Sequence, residues 1–148
     1  MTLVDALDGA RRAVLDTMVL IYYFEDSDRY GDRADSVIGA ASRGEFEAIV
    51  TPVTVGELLV KPLELGRPDI ADQYRTALRH LPNLSEHPLT WDCGAAAGAL
   101  RARYGLPMPD MLQVAAALTA GDCALVTNDR VLQRVAEIPV VLLDQLGT

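Results

Sequence analysis

The chain has 148 residues and a formal charge of −8, with half of the residues hydrophobic and 23% charged. That length suits one domain with a core of its own, expected over residues 1–148, and the composition excludes a disordered or collagen-like chain. The acidic balance argues against loose, sequence-independent binding to DNA or to an anionic membrane.

The elements follow in chain order. Arg12 to Asp16 reads as a short buried strand, and Thr17 to Glu25, apolar almost all round, as a buried helix. After a turn at Asp28 to Gly31, the segment Asp32 to Arg43 puts Ala34, Val37, Ile38 and Ala41 on one helical face. Phe46 to Thr51 reads as a second strand. Pro52 suits the first turn of a helix that Val53 to Val60 continues. Gly66-Arg-Pro-Asp69 is a break before an amphipathic helix over Ile70 to Leu81. Leu84 to Leu89 is a strand that Pro88 restricts to an edge or an end. Thr90 to Tyr104 is an Ala-rich helix that Gly105 can cap. Pro107 to Asp110 opens a further helix to about Ala120. Cys123 to Thr127 is a strand, Asn128 to Ala136 a short helix, and Pro139 to Leu143 a final strand.

Strands alternating with helices imply a parallel sheet covered on both faces, and the strands are apolar runs, as such sheets require. The expectation is an α/β fold, a three-layer α/β/α sandwich around a mainly parallel sheet. Cys93 and Cys123 build neither a disulfide framework nor a four-cysteine zinc site, and both read as small core residues. No apolar run approaches the ~18 residues of a membrane helix. Asp5 and Asp8 stand where a signal peptide would need an apolar core, so a cytoplasmic protein without membrane partners is expected.

In open α/β sheets ligands bind beyond the carboxyl ends of the strands. Asp16 ends the first strand, Asp129 follows the Cys123 to Thr127 strand by two residues, Asp110 opens a helix, and Glu57 lies about one turn into the helix after the second strand. All four can converge on that edge. Each Asp also has a capping role open to it, because an acid near a helix start satisfies orphan N–H groups. Glu57 has the alternative of a solvent-facing polar stripe with Thr54 and Lys61. Two like charges ~4 Å apart at an effective dielectric of ~20 repel by ~4 kcal/mol, so converging acids either protonate or share a cation. Oxygen donors without nearby His or Cys favour Mg²⁺ or Mn²⁺ over zinc, and such a site suits metal-dependent phosphodiester hydrolysis.

Four segments carry a resemblance: Val14-Leu15-Asp16-Thr17, Thr54 to Leu58 around Glu57, Pro109-Asp110 leading into Gln113 to Ala117, and Val126-Thr127-Asn128-Asp129. In order and spacing they resemble the acidic motifs of PIN-domain ribonucleases, and most of all the VapC-type toxins of toxin–antitoxin pairs, over about Ala13 to Leu143. The resemblance implies a Mg²⁺- or Mn²⁺-dependent endoribonuclease, an RNA substrate, frequent homodimers and a small cognate antitoxin that blocks the active site. It maps Asp16, Glu57, Asp110 and Asp129 onto the catalytic, metal-binding quartet and Thr127 onto a supporting hydroxyl. Met18 stands where a small polar residue is common, and Met111 where Ala is common. The alternative reading is a PIN-like module that binds without cleaving.

Other chemistries lack their residues. A haloacid-dehalogenase-like phosphatase needs a second Asp at position 18 and a late Lys, a response-regulator receiver needs the same late Lys, and neither is present. Phosphate-binding glycine loops and a Gly-x-Ser-x-Gly elbow are missing too. His80 and His87 read as surface residues. Trp91, Tyr22, Tyr23 and Phe24 read as core or dimer contacts. An acidic protein must hold RNA phosphate through local arginines, whose fork suits phosphate. The pairs Arg101/Arg103, Arg130/Arg134 and Arg75/Arg79 are candidates, with Arg130 first because it follows Asp129 directly.

Overall fold

Five short strands, four of them mainly apolar, and seven helices make up the computed structural model, which describes residues 1–147. The strands are β1 (Arg12–Leu15), β2 (Glu47–Val50), β3 (Leu84–Glu86), β4 (Cys123–Thr127) and β5 (Val140–Leu142). The helices are α1 (Leu3–Ala6), α2 (Thr17–Phe24), α3 (Gly31–Ser42), α4 (Pro52–Glu64), α5 (Pro68–Arg79), α6 (Trp91–Tyr104) and α7 (Met108–Ala120). All strand pairs are parallel, in the order β3-β2-β1-β4-β5. Arg12 faces Glu47 on one side and Cys123 on the other, so β1 is central.

Successive strand residues point to opposite faces, and both faces are apolar. Ala13, Leu15, Ala48, Val50, Ala124 and Val126 pack against α2, α3, α4 and α5, while Val14, Ile49, Cys123 and Leu125 pack against α6 and α7. This is the α/β/α sandwich the alternation requires. Val14 and Leu15 are neighbours in sequence, both fully buried, in different cores. Burying a side chain of that size contributes roughly 1.5–3 kcal/mol. The chain winds from β1 outward through β2 to β3, then crosses back to β4 and β5. The direction of winding therefore reverses between β1 and β4, and a crevice opens there beyond the strand ends.

Helix limits follow local chemistry. Thr90 precedes α6 and its side chain accepts from Cys93 N at 3.2 Å, while Gly105 closes α6 at φ +69°, a conformation open to glycine. Pro52 and Pro68 stand in the first turns of α4 and α5. Pro88 lies just past β3, which is an edge strand as expected.

Some expectations are corrected. Asn128 to Ala136 is no α-helix: only a 3₁₀ turn forms over Arg130–Arg134, begun by Asp129. α4 runs on past Pro62, whose ring is buried, to Glu64. α2 is well buried only at Thr17, Val19 and Leu20; Met18, Ile21 and Tyr22 line the crevice, and Tyr23 and Phe24 pack partly buried against the core. Of the two roles expected for Trp91, core or dimer contact, its 96% exposure removes only the core. No helix among the described residues is long and apolar enough to cross a membrane.

Candidate active site

The crevice between the ends of β1 and β4 is a cleft of about 490 Å³ lined by Asp16, Glu57, Asp110 and Asp129, with Thr17, Met18, Tyr22 and Asn128 among its other walls. Four separate segments supply the four acids. β1 ends at Leu15, so Asp16 caps α2: its Oδ1 accepts from Thr17 N at 2.8 Å and its Oδ2 from the Thr127 hydroxyl at 2.7 Å. Thr127 is fully buried at the end of β4, and its Oγ1 also accepts from Asp129 N at 3.1 Å. One hydroxyl thus fastens the first acid to the last. Asp129 caps the 3₁₀ turn through Val131 N at 3.1 Å. Capping and convergence coexist for Asp16 and Asp129, because each carboxylate has a second oxygen or a second edge to offer.

Glu57 does not sit in an apolar wall. It is exposed, and its Oε1 accepts from Thr17 Oγ1 at 2.7 Å. The solvent-facing stripe fails as well: Thr54 is fully buried, and Lys61 lies 3.7 Å from Glu25 instead. Behind Thr17 runs a chain of buried hydrogen bonds. Thr51 Oγ1 donates to Gln113 Oε1 at 2.6 Å, Gln113 Nε2 donates to Thr54 Oγ1 at 2.6 Å, and the Thr54 and Thr17 hydroxyls stand 3.4 Å apart. The chain ties α7, α4 and α2 together under the cleft and ends on the Glu57 carboxylate.

Asp110 stands in the first turn of α7, half-buried. Its carboxyl is pushed up to about 6, first by burial and then by the charges of Asp16, Asp129 and Glu57. Among the described residues no basic side chain lines the cleft. Arg130 turns away and pairs with Asp144 at 2.8 Å. Among the described residues no three Asp, Glu, His or Cys side chains are close enough to enclose an ion as a group. The donor set is nonetheless all oxygen, mutually repelling and open to water. It fits a hard divalent cation that keeps part of its own hydration, as Mg²⁺ does.

A family model, the PIN domain, matches residues 13–138. The chain belongs to the PIN-domain family. The match spans β1 to the stretch before β5 and takes in all four acids of the cleft. No curated protein matches this PIN domain by sequence. Three solved structures share its fold. A crystal structure of VapBC2 from Rickettsia felis, bound to a DNA fragment from their promoter, has a TM-score of 0.66 at 17% identity, covering 87% of this chain and 96% of that one. A toxin–antitoxin complex from Klebsiella pneumoniae gives 0.67 at 22%, covering 88% and 97%. A DNA-bound VapBC from Salmonella typhimurium gives 0.70 at 16%, covering 89% and 98%.

Sequence reasoning had Thr127 beside the quartet but missed what Thr17, Thr54 and Gln113 do. The available signal was a polar residue inside an apolar helical run: Gln113 is flanked by Leu112 and Val114, Thr54 by Val53 and Val55. A buried polar side chain needs a partner, and each of these has one.

Proposed function

We propose that this PIN domain is a divalent-metal-dependent endoribonuclease, the toxin of a toxin–antitoxin pair, with Asp16, Glu57, Asp110 and Asp129 as its catalytic residues. The observation that carries the reading is the meeting of four carboxylates from four segments in one cleft without a cation from the chain. The toxin assignment is supported by the likeness of fold to the VapBC and toxin–antitoxin structures. A small antitoxin partner, a homodimer, a cytoplasmic setting and a single domain over residues 1–148 belong to the same reading.

When bound, Mg²⁺ or Mn²⁺ lowers the pKa of a coordinated water and stabilises charge on the phosphodiester. Asp16, Asp110 and Asp129 would hold it, with Glu57 directly or through water. Asp16 is the most firmly fixed of these donors, since both of its oxygens accept hydrogen bonds from the chain. The Thr127 hydroxyl sets the spacing between Asp16 and Asp129. The Thr17 hydroxyl holds Glu57 toward the cleft. Attack of water on phosphorus breaks the bond to the leaving oxygen, which takes its proton from water in the open cleft.

The test is cleavage of transfer, ribosomal and total RNA by the purified protein, freed of any bound partner, with Mg²⁺ or Mn²⁺. Cleavage that stops in EDTA and falls by orders of magnitude in Asp16→Asn is expected. An inert protein with either metal would instead favour a binding module.

A further inference from the structure

A second pocket, of about 360 Å³, opens between α4, α5 and β3 on the same edge of the sheet as the cleft. It lies against the β2–β3 edge, from Leu84 at the start of β3 to Val50 and Glu86 at the carboxyl ends of the two strands, with Pro52 at the start of α4. Val50, Val55, Leu78 and Leu84 give it apolar walls, and Arg75, Arg79 and Glu86 give it charge.

The arginines decide what it can hold. Ten of the twelve in the chain are engaged by the chain itself. Five sit in ion pairs with carboxylates. Four donate to backbone carbonyls. Arg29 lies over the Tyr30 ring. Among the described residues, Arg75 and Arg79 are the two left without an ion pair, a hydrogen bond or a ring contact. They are one helical turn apart on α5 and line the same pocket. Glu86 shares that pocket yet pairs with neither. Two free guanidinium forks, a free carboxylate and an apolar wall suit a ligand with an anionic group, N–H donors and a flat apolar face.

We propose that this pocket is a nucleotide subsite for the RNA strand, a proposal that rests on the ribonuclease reading above. Arg75 and Arg79 hold a phosphate, which the guanidinium fork binds bidentately. Val55 and Leu84 carry the face of the base, and Glu86 accepts from its exocyclic amino group, as carboxylates do from cytosine. An acidic peptide fits less well, because its acidic side chains offer neither a flat apolar face to Val55 and Leu84 nor an N–H donor to Glu86. At a strand spacing of ~4.8 Å, the β2–β3 pocket and the β1–β4 cleft are about two strands, ~10 Å, apart along the sheet edge. A single strand of RNA with its scissile phosphate in the cleft therefore reaches the pocket within a short run of nucleotides.

The test uses the full chain, cytidine and uridine 5′-monophosphate, inorganic phosphate, and a short single-stranded RNA in Ca²⁺ to block cleavage. Cytidine monophosphate should shift the methyl NMR signals of Val55, Leu78 and Leu84, in wild type and in Asp16→Asn alike, with phosphate alone acting more weakly. Glu86→Gln should abolish the preference for the cytidine over the uridine nucleotide. The double variant Arg75→Ala/Arg79→Ala, which loses no ion pair, hydrogen bond or ring contact among the described residues and should melt close to wild type, should lose these shifts. It should bind RNA about tenfold or more weaker, the loss expected for a charge-assisted hydrogen bond. Its salt slope should be shallower by about 0.7 per lost phosphate contact. Unchanged RNA affinity and slope in the double variant, with metal-dependent cleavage intact, overturn the subsite and leave the ribonuclease reading standing. An inert protein whose pocket still takes cytidine monophosphate through Arg75 and Arg79 does the reverse. A glutamate-rich peptide that moves the same methyl signals while the nucleotides do not also overturns the subsite.

Discussion

Asp16, Asp110 and Asp129 all stand near helix starts, yet the surroundings make them different residues. Asp110 has no capping bond; burial first, and then the charges of Asp16, Asp129 and Glu57, push its folded carboxyl up to about 6 against roughly 4 in an unfolded chain. Between those values the folded state binds more protons than the unfolded one. The Asp110 contribution to stability is therefore fully present below about pH 4, is lost as pH rises through about 6, and stays lost above. In EDTA, Asp110→Asn should melt above wild type at pH 7, and the gap should close as pH is lowered to 4. A gap that is constant across this range would mean that charge at Asp110 is not the cause. Asp16→Ala and Asp129→Ala remove acceptors of backbone N–H groups along with the charge and should gain less or lose stability, by up to ~2 kcal/mol for a capping bond, whereas Asn at either position keeps an accepting oxygen. The sequence showed both roles and could not rank them, because capping is a local property and repulsion depends on which distant segments share a cleft. Arg130 shows the same limit: its place after Asp129 suggested a phosphate contact, and only the fold reveals Asp144 beside it.

At the scale of elements, the periods of the sequence carried most of the fold. The apolar runs at 12–16, 46–51 and 123–127 lie in the sheet, and the edge position of β3 was readable from Pro88. The Asn128 to Ala136 stretch misled because its Leu132 and Val135 are buried at helical spacing, a burial that a 3₁₀ turn over Arg130–Arg134 followed by an extended Val135 also achieves. Helix α6 yields a prediction of its own. Gly98 lies inside it, and a Cβ built there meets nothing within 4 Å. Glycine in a helix costs about 0.5–1 kcal/mol relative to alanine, so Gly98→Ala should stabilise the chain by about that amount in urea unfolding. A loss of stability would show that the helix face needs its glycine. The three-helix polar chain yields the opposite sign. Gln113→Leu keeps the volume but strands the Thr51 hydroxyl and removes the donor to Thr54, both fully buried. An unpaired buried hydroxyl costs about 1–3 kcal/mol. Gln113→Leu should therefore destabilise by that much, and Gln113→Leu/Thr51→Val, which removes the stranded hydroxyl, should recover part of it. A double variant no better than the single one would place the cost in packing instead.

For the whole molecule the governing quantity is the charge of −8, four of whose negative charges line the cleft. Such a surface repels RNA at long range, and the field is strongest where the scissile phosphate must sit. The unengaged arginines, Arg75 and Arg79, are too few to reverse it. Under the proposed function, then, divalent metal strengthens the binding of RNA, and does not serve only to cut it. Metal that binds the folded chain also raises its melting temperature by mass action, by about 2.7 kcal/mol of stability at a hundredfold excess over Kd. These two effects move in opposite directions when the acids are removed. Asp16→Asn/Asp110→Asn lowers the formal charge to −6, so in EDTA it should bind RNA more tightly than wild type. With Ca²⁺ present the order should invert, since wild type gains both cation and RNA while the variant gains neither. The same variant should show no rise in melting temperature with Mn²⁺. Binding titrations with a labelled RNA at fixed ionic strength, run in EDTA and in Ca²⁺ for both proteins, read out the inversion. Equal affinity of wild type in the two conditions would falsify the idea that the acidic cleft meets RNA through a metal, whatever its catalytic activity.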